Sequence, residues 1–259
     1  MTTASPLVIA HRGNTSTAPP NTMPAVEGAW RVGADALEID VRLSGDGHAV
    51  VIHDDTVDAT TDGTGPVAGL AAEAIARLDA GSWFSPVFRG HRVPLLSQVL
   101  EHVSTHAGTD LLLELKGDWA VHDAATVVAQ LAQAGVTERT IVQSFWPGTL
   151  EAMREVAPGV RTGLLVSHRA GEPEDLVATC ARLGVMACNP PYAQLEREPE
   201  LVARWQDAGL QVMVWTLNEP AQWAHAVELE VDAIITDRPD RLLGWLSALR
   251  TVRPAPATV

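Results

Sequence analysis

Four short polar motifs carry side chains suited to proton transfer, metal binding and anion binding, and each motif directly follows an apolar run. They are His11-Arg12-Gly13, Glu38-Ile39-Asp40, His53-Asp54 and Glu114-Leu115-Lys116. Carboxylates can bind a hard divalent cation, imidazoles can donate and accept protons, and Arg and Lys can bind an anion. Cleavage of a phosphodiester requires these abilities together, so the motifs predict an enzyme.

The carboxylates predict a metal site. Glu38 and Asp40 are two positions apart on one predicted strand, so their side chains share a face. Two ionised carboxylates so close repel each other and need a counter-charge. With Glu114 from the next strand they offer oxygen ligands, which suit Mg²⁺ or Ca²⁺. We therefore predict one divalent cation; the alternative is a salt-bridge cluster with Arg12 and Lys116 and no metal.

Two histidines and two cations complete the predicted site. His11 and His53 are the two of nine histidines that stand at predicted strand ends facing it. A pair of imidazoles beside one phosphate can act as acid and base near neutral pH. The Arg12 guanidinium and the Lys116 ammonium suit phosphate oxygens. The alternative for Lys116 is a Schiff base, as in an aldolase or a lyase.

Eight short apolar runs have the character of strands and alternate with amphipathic stretches. The runs are 7–10, 36–41, 111–115, 140–143, 161–166, 185–188, 211–215 and 233–236. The amphipathic stretches include 120–134, 149–156, 174–183, 200–208 and 221–228. Apolar strands separated by helices predict a parallel sheet, and eight such units predict an α/β protein with a (β/α)8 TIM barrel. Asn21 and Pro24 are interpreted as the start of the first helix.

A ninth apolar run, 49–52, follows the second strand too closely for a crossover helix. The intervening residues 44–47 have turn composition, so 41–43 and 49–52 are predicted to form a β-hairpin. Folding this hairpin back about its turn brings His53 roughly opposite Asp40, at the mouth of the barrel.

A small insertion, about residues 55–94, follows the hairpin and is long for a loop of a barrel. Insertions at this face of a barrel often shape the substrate pocket. Trp83, Phe84 and Phe88 therefore either form an apolar wall of the pocket or hold the insertion on the barrel.

Length and charge limit the remaining possibilities. Residues 1–250 are predicted to form a single catalytic barrel and residues 251–259 a disordered tail. The net charge of −14 argues against binding to nucleic acid or an anionic membrane surface. No apolar run reaches membrane-spanning length, and the N-terminus lacks the pattern of a signal peptide. We expect a cytoplasmic location, a small-molecule substrate and no stable membrane insertion, while the oligomeric state stays unpredicted.

The motifs, taken in order, resemble the glycerophosphodiester phosphodiesterase family over nearly the whole chain. Beyond the four motifs above, the resemblance includes Asn21-Thr22, Ser144-Phe145, Trp215-Thr216-x-Asn218 and Thr236-Asp237-x-Pro239. It implies a TIM barrel with a small insertion after the His-Asp motif. The residues that it implies for the site are Glu38, Asp40 and Glu114 for the cation, His11 and His53 for catalysis, Arg12 and Lys116 for the phosphate, and Trp215 for the pocket lining.

The resemblance further implies hydrolysis of a glycerophosphodiester to glycerol 3-phosphate and an alcohol. By analogy with related barrel phosphodiesterases, the glycerol 2-hydroxyl attacks phosphorus, His11 removes its proton and His53 protonates the departing alcohol. Water then opens the cyclic phosphate; direct attack by water is the alternative route. The acid and base assignments of the two histidines can also be exchanged.

Two positions depart from the family pattern. Pro20 stands where the family usually has Glu, and His91 stands where relatives often carry an acidic residue. Two other functions therefore stay open: a phospholipase-type lyase that stops at the cyclic phosphate, and a barrel that binds phosphorylated ligands without turnover. The head group and the choice between Mg²⁺ and Ca²⁺ are not determined by the sequence.

Overall fold

In the computed structural model, which describes residues 5–167 and 176–252, eight parallel strands and one additional strand form a single sheet. The strands are β1 (Leu7–Ala10), β2 (Ala36–Leu43), β3 (Ala49–Val51), β4 (Asp110–Leu115), β5 (Thr140–Ser144), β6 (Arg161–Leu165), β7 (Ala187–Asn189), β8 (Gln211–Val214) and β9 (Ala233–Thr236). Strand β1 pairs in parallel with both β2 and β9, which closes the barrel. The predicted TIM barrel is confirmed, and each of the eight predicted runs overlaps an observed strand.

Helices separate most of the parallel strands along the chain. They are α1 (Met23–Arg31), α2 (Ala72–Ile75), α3 (Leu96–Thr105), α4 (Val121–Ala134), α5 (Pro147–Val156), α6 (Leu176–Leu183), α7 (Tyr192–Arg197), α8 (Leu201–Asp207), α9 (Pro220–Glu228) and α10 (Pro239–Val252). Residues 174–175 of one predicted helix and residues 253–259 of the predicted tail lie outside the described residues. Within the described ranges, no helix has both the length and the apolarity needed to cross a bilayer.

The inside of the barrel changes character along the strands. One end of the lumen is filled by apolar side chains, which are Ile9, Leu112, Ala187, Met213, Ala233 and Ile235. Side chains two residues apart on a strand share a face, so the face of β4 that carries Leu112 also carries Glu114. Both side chains are buried. The lumen is therefore apolar below and polar at the ends of the strands, where a TIM barrel places its active site.

The predicted hairpin is present. Strand β3 pairs antiparallel with the end of β2, with Val41 opposite Val51. The backbone N–H of Ile52 donates to the carbonyl oxygen of Asp40 at 3.0 Å. His53 consequently follows the last paired residue, at the mouth of the barrel.

The insertion has an apolar core of its own that packs around β3. This core consists of Val50, Ile52, Val57, Val67, Ala72, Ile75, Ala80 and Val93. Trp83 and Phe84 are not part of it and are 47% and 38% exposed. They contact each other edge to face, as Phe84 and Phe88 do. None of the three aromatic residues lines the cavity that lies at the ends of the barrel strands. The structure therefore does not support the interpretation that they form a wall of the substrate pocket.

Candidate active site

Three carboxylates converge at the ends of β2 and β4. Glu38, Asp40 and Glu114 are 1%, 0% and 5% exposed. One oxygen from each lies within 4.8 Å of the others. Strands β2 and β4 are in register with Asp40 opposite Glu114, so the backbone pairing brings these two side chains together. This placement agrees with the sequence-based expectation that the three acids form one cluster.

Two cations face these carboxylates. Lys116 Nζ lies 2.6 Å from Glu114 Oε1 and 3.0 Å from Asp40 Oδ1, and Arg12 Nε lies 3.0 Å from Asp40 Oδ2. These are ion-pair distances, but Arg12 Nε, Asp40 Oδ1 and Glu114 Oε1 are buried without a hydrogen bond of good angle. Buried polar atoms normally have a directed partner. The cluster therefore has unused donor and acceptor capacity.

The protonation equilibria of the three acids differ because their neighbours differ. Burial, together with Asp40 and Glu114, raises the pKa of Glu38 well above its usual value. Burial and the nearby Asp40 raise the pKa of Glu114 to about 7. Burial also opposes ionisation of Asp40, but Lys116 and Arg12 outweigh it and hold the pKa of Asp40 well below its usual range. Ionisation of Glu38 and Glu114 is therefore disfavoured unless a further positive charge lies nearby.

His11 is held by an acidic residue from the last strand end. Its Nδ1 lies 2.7 Å from Asp237 Oδ1, which fits donation of a hydrogen bond by the imidazole to the carboxylate. Asn218 Nδ2 donates to the other oxygen of Asp237 at 2.6 Å. Burial raises the pKa of Asp237, but its bonds to His11, Asn218 and Thr15 outweigh this and lower it to about 2. The pair fixes the ring and leaves Nε2 of His11 for chemistry.

His53 has an equivalent partner in its neighbour. Its Nδ1 lies 2.7 Å from Asp54 Oδ1, and its backbone carbonyl accepts a hydrogen bond from Arg42 Nε at 2.7 Å. Burial, with smaller contributions from Lys116 and Arg12, lowers the pKa of His53 despite the attraction of Asp40. His53 therefore releases a proton more readily than an exposed histidine does.

Turns at the barrel mouth place backbone and side-chain hydrogen-bond donors beside Glu38 and Asp40. Arg12 adopts φ 56, and its N–H donates to Glu38 Oε2 at 2.9 Å. Asn21 adopts φ 57; its Nδ2 donates to Asp40 Oδ2 at 2.8 Å and its Oδ1 accepts from the Asp40 N–H at 3.2 Å. Between them, Gly13 adopts φ 91, and a Cβ there would lie 2.5 Å from the carbonyl carbon of Ala25. Only glycine fits both the space and this backbone conformation.

The acids, cations and histidines lie on one side of a cavity of about 240 Å³, and uncharged side chains lie on the other side. Seven of the eight predicted site residues line the cavity, and Asp40 lies beneath it in contact with Arg12 and Lys116. The opposite side is formed by Gln143, Phe145, Leu165, Trp215 and Ile235. Phe145 and Trp215 meet edge to face, with ring centroids 5.6 Å apart.

Four residues that orient the site residues were not predicted to do so from the sequence. Asp237 and Asn218 orient His11, and Asp54 orients His53. Asn21, interpreted as the start of a helix, instead binds Asp40, and α1 begins at Met23 after an N-cap at Thr22. The position of Asp237 directly after an apolar strand is the signal that could have identified it. Pro20 lines two other clefts beside Arg12, and His91 is exposed on the insertion.

Comparison with known proteins agrees with this geometry. The model of the glycerophosphoryl diester phosphodiesterase family matches residues 11–241. A glycerophosphodiester phosphodiesterase of Caldanaerobacter subterraneus is 35% identical over 241 residues, covering 92% of this chain and 96% of the relative. The glycerophosphodiester phosphodiesterase structure from Agrobacterium tumefaciens superimposes with a TM-score of 0.79 at 33% identity, covering 92% of this chain and 99% of that one. A phosphodiesterase from Oleispira antarctica, solved with its product sn-glycerol-3-phosphate, gives 0.86 at 28% identity, covering 93% and 97%.

Proposed function

The chain belongs to the glycerophosphoryl diester phosphodiesterase family, and on that premise we propose that it hydrolyses glycerophosphodiesters to glycerol 3-phosphate and an alcohol with one bound divalent cation. The observation that carries the proposal is one cavity lined by two Asp-paired histidines above a buried group of three carboxylates. The Oleispira relative, which contains glycerol 3-phosphate as its product, supports the same product here.

The carboxylate cluster fits a hard cation. Its donors are all oxygens, two of its buried oxygens lack a well-directed hydrogen bond, and two of its three acids have raised pKa values. Glu38, Asp40 and Glu114 would hold Mg²⁺ or Ca²⁺, since both ions prefer carboxylate ligands. The bound ion would acidify a nearby hydroxyl and neutralise charge that develops on the phosphate.

Arg12 and Lys116 are the residues that we assign to the phosphate. Both line the cavity and are already held in place by Asp40, through Arg12 Nε and Lys116 Nζ. Because Nε of Arg12 faces Asp40, the two terminal nitrogens of the guanidinium are the ones that we assign to phosphate oxygens. Burial disfavours the charge on Lys116, but Asp40 and Glu114 outweigh it and raise its pKa, so the ammonium stays charged.

The two histidines divide the proton transfers. His11 removes the proton of the glycerol 2-hydroxyl as that oxygen attacks phosphorus, and the Asp237 carboxylate stabilises the imidazolium that forms. His53 donates a proton to the alcohol oxygen as its bond to phosphorus breaks. Its lowered pKa makes its imidazolium a stronger acid. Water then opens the cyclic phosphate, which gives glycerol 3-phosphate.

The test is a panel of glycerophosphodiesters with Mg²⁺ or Ca²⁺, coupled to detection of glycerol 3-phosphate. Wild type and the control His122→Ala should release it, because the His122 side chain is 83% exposed on α4 and does not line the cavity. His11→Ala should reduce turnover by roughly 10²-fold or more. Near-wild-type turnover in His11→Ala would refute its catalytic role. Accumulation of a cyclic phosphate, seen by phosphorus NMR, would identify a lyase instead.

A further inference from the structure

A second group of potential metal ligands lies between α1 and α3. Glu27 on α1 and His102 and His106 of the α3 segment each place one ligand atom within 4.8 Å of the others. The histidines are four residues apart, so they lie on the same side of the helix. Their rings stack, with centroids 4.0 Å apart and planes 17° apart.

This group lies at the other end of the barrel from the proposed active site. The outer helices of a TIM barrel run opposite to the strands, so their last turns lie beside the beginnings of the strands. His106 directly follows α3, and Glu27 is the central residue of α1. At this end of the barrel, the backbone N–H of Asp110, the first residue of β4, donates to the carbonyl oxygen of Asp35.

Each histidine shows a nitrogen that is available for a ligand. The His102 side chain is 10% exposed, and its buried Nε2 has no hydrogen-bond partner. The Nδ1 of His106 lies 2.8 Å from the carbonyl oxygen of His102, which leaves its Nε2 free of that bond. A metal-binding histidine commonly donates its second ring nitrogen to a backbone carbonyl in this way.

The third residue, Glu27, faces the imidazoles with one oxygen of its carboxylate. Glu27 Oε2 lies 3.7 Å from His102 Nδ1, longer than a hydrogen bond, while Glu27 Oε1 pairs with Arg31 at 2.5 Å. Glu27 is thus oriented beside the imidazoles without being bonded to them.

We propose that Glu27, His102 and His106 form a second metal site, specific for a borderline divalent transition ion such as Zn²⁺, which links α1 to α3. Two imidazoles and one carboxylate are a common ligand set for zinc, with water as a fourth ligand. The oxygen-only cluster at the barrel mouth favours harder ions, so the two sites differ in the metal that they select.

The test is calorimetric titration of the full chain with Zn²⁺ in excess Mg²⁺. Wild type should bind one equivalent of Zn²⁺. The substitutions His106→Gln, His102→Gln and Glu27→Gln should each raise the Kd for Zn²⁺ at least about tenfold. His122→Gln is the matched control and should bind Zn²⁺ as wild type does, since it removes a histidine on a different helix. Glu27 and His106 are only partly buried, so their variants keep the test valid if His102→Gln fails to fold.

Thermal unfolding gives a second readout. Zn²⁺ at about 100 times its wild-type Kd should raise the Tm of Mg²⁺-saturated wild type by roughly 5–10 °C, and at the same Zn²⁺ concentration the rise should be smaller by about half or more in His106→Gln. Turnover of His106→Gln with Mg²⁺ should equal that of wild type. Zn²⁺ binding and a Tm gain that are the same in wild type, His106→Gln and Glu27→Gln would overturn the proposal, because any zinc bound would then lie elsewhere.

Discussion

The mouth of the barrel has two halves with different chemistry. The half built on β1, β2, the hairpin and β4 presents His11, Glu38, His53, Glu114 and Lys116 to the cavity. The half built on β5, β6, β8 and β9 presents an amide, two aromatic rings and two aliphatic side chains. Among the described lining residues, every ionisable group belongs to the first half.

Both halves contain buried polar atoms without a hydrogen-bond partner, and they differ in the charge of those atoms. In the neutral half, Asn189 Nδ2 donates to Gln143 Oε1 at 2.8 Å and the Trp215 indole N–H donates to the Asn189 carbonyl at 2.8 Å, while Asn189 Oδ1 has no partner. In the charged half, the atoms without a directed hydrogen bond include two carboxylate oxygens, Asp40 Oδ1 and Glu114 Oε1, which suit a hard cation. Under the proposed function, the charged half binds the cation and the phosphate, and the neutral half contacts the organic substituent.

Removal of divalent cations should have the largest effect. Dialysis against EDTA should reduce hydrolysis to background, because the cation proposed to sit on the three buried carboxylates acidifies the attacking hydroxyl and neutralises charge on the phosphate. Mg²⁺ or Ca²⁺ added back should restore it, and EDTA already saturated with Mg²⁺ is the control. Full activity in metal-free protein would show that the charged half works with Lys116 and Arg12 alone.

Loss of the hairpin histidine should come next. His53→Ala should lower kcat by at least about 10²-fold with little change in KM, because His53 acts on the leaving group in the transition state. Steady-state kinetics on one diester measures both constants. The matched comparison is His91→Ala, which removes an exposed histidine from the insertion. Equal kcat values for the two variants would contradict the role of His53.

A smaller effect is expected from the carboxylate behind His11. Asp237→Asn should lower kcat by roughly tenfold to 10²-fold, since an amide orients the ring without stabilising its positive charge. The loss should appear in kcat and not in KM, because Asp237 acts through His11 and does not line the cavity. Asp240→Asn, which alters a bond to Ser16 on the nearby surface, is the control. A kcat equal to that of the control would limit Asp237 to a structural role.

Much of the charged half could be predicted from the sequence. Glu38 and Asp40 on β2, and Glu114 and Lys116 at the end of β4, are each spaced by two residues. The alternation of side chains along a strand therefore sets the face on which they lie, and the parallel pairing of β2 with β4 brings the two pairs together. The hydrogen-bond partners of the site residues were harder to predict. Asn21 reaches Asp40 through a backbone turn with positive φ, and Asp237 reaches His11 across 226 positions of the chain. Such contacts depend on barrel closure, which no local pattern encodes.

The raised carboxyl pKa values predict how pH affects cation binding to the charged half. Folding raises the pKa of Glu114 from 4.5 to about 7, so the metal-free folded state binds more protons than the unfolded state between these values. Stability from this group therefore falls as pH rises through that range. A cation that displaces the proton removes this loss. The Tm gain from Mg²⁺ should be larger at about pH 8 than at about pH 5.5, and Glu114→Gln should reduce the difference. An equal gain at both values would argue against carboxylate ligation.

The smallest effect is expected in the neutral half. Trp215→Leu should raise KM roughly three- to tenfold and leave kcat nearly unchanged, because it removes apolar contact that substrate and transition state share. Trp83→Leu is the matched control: it deletes an indole that is 47% exposed on the insertion and does not line the cavity. Kinetics on diesters with small and large alcohols should show the Trp215 effect growing with the size of the alcohol. If Trp215→Leu instead lowers kcat as strongly as His53→Ala does, the neutral half takes part in the chemistry, and the division of the barrel mouth into a reactive and a recognition half is wrong.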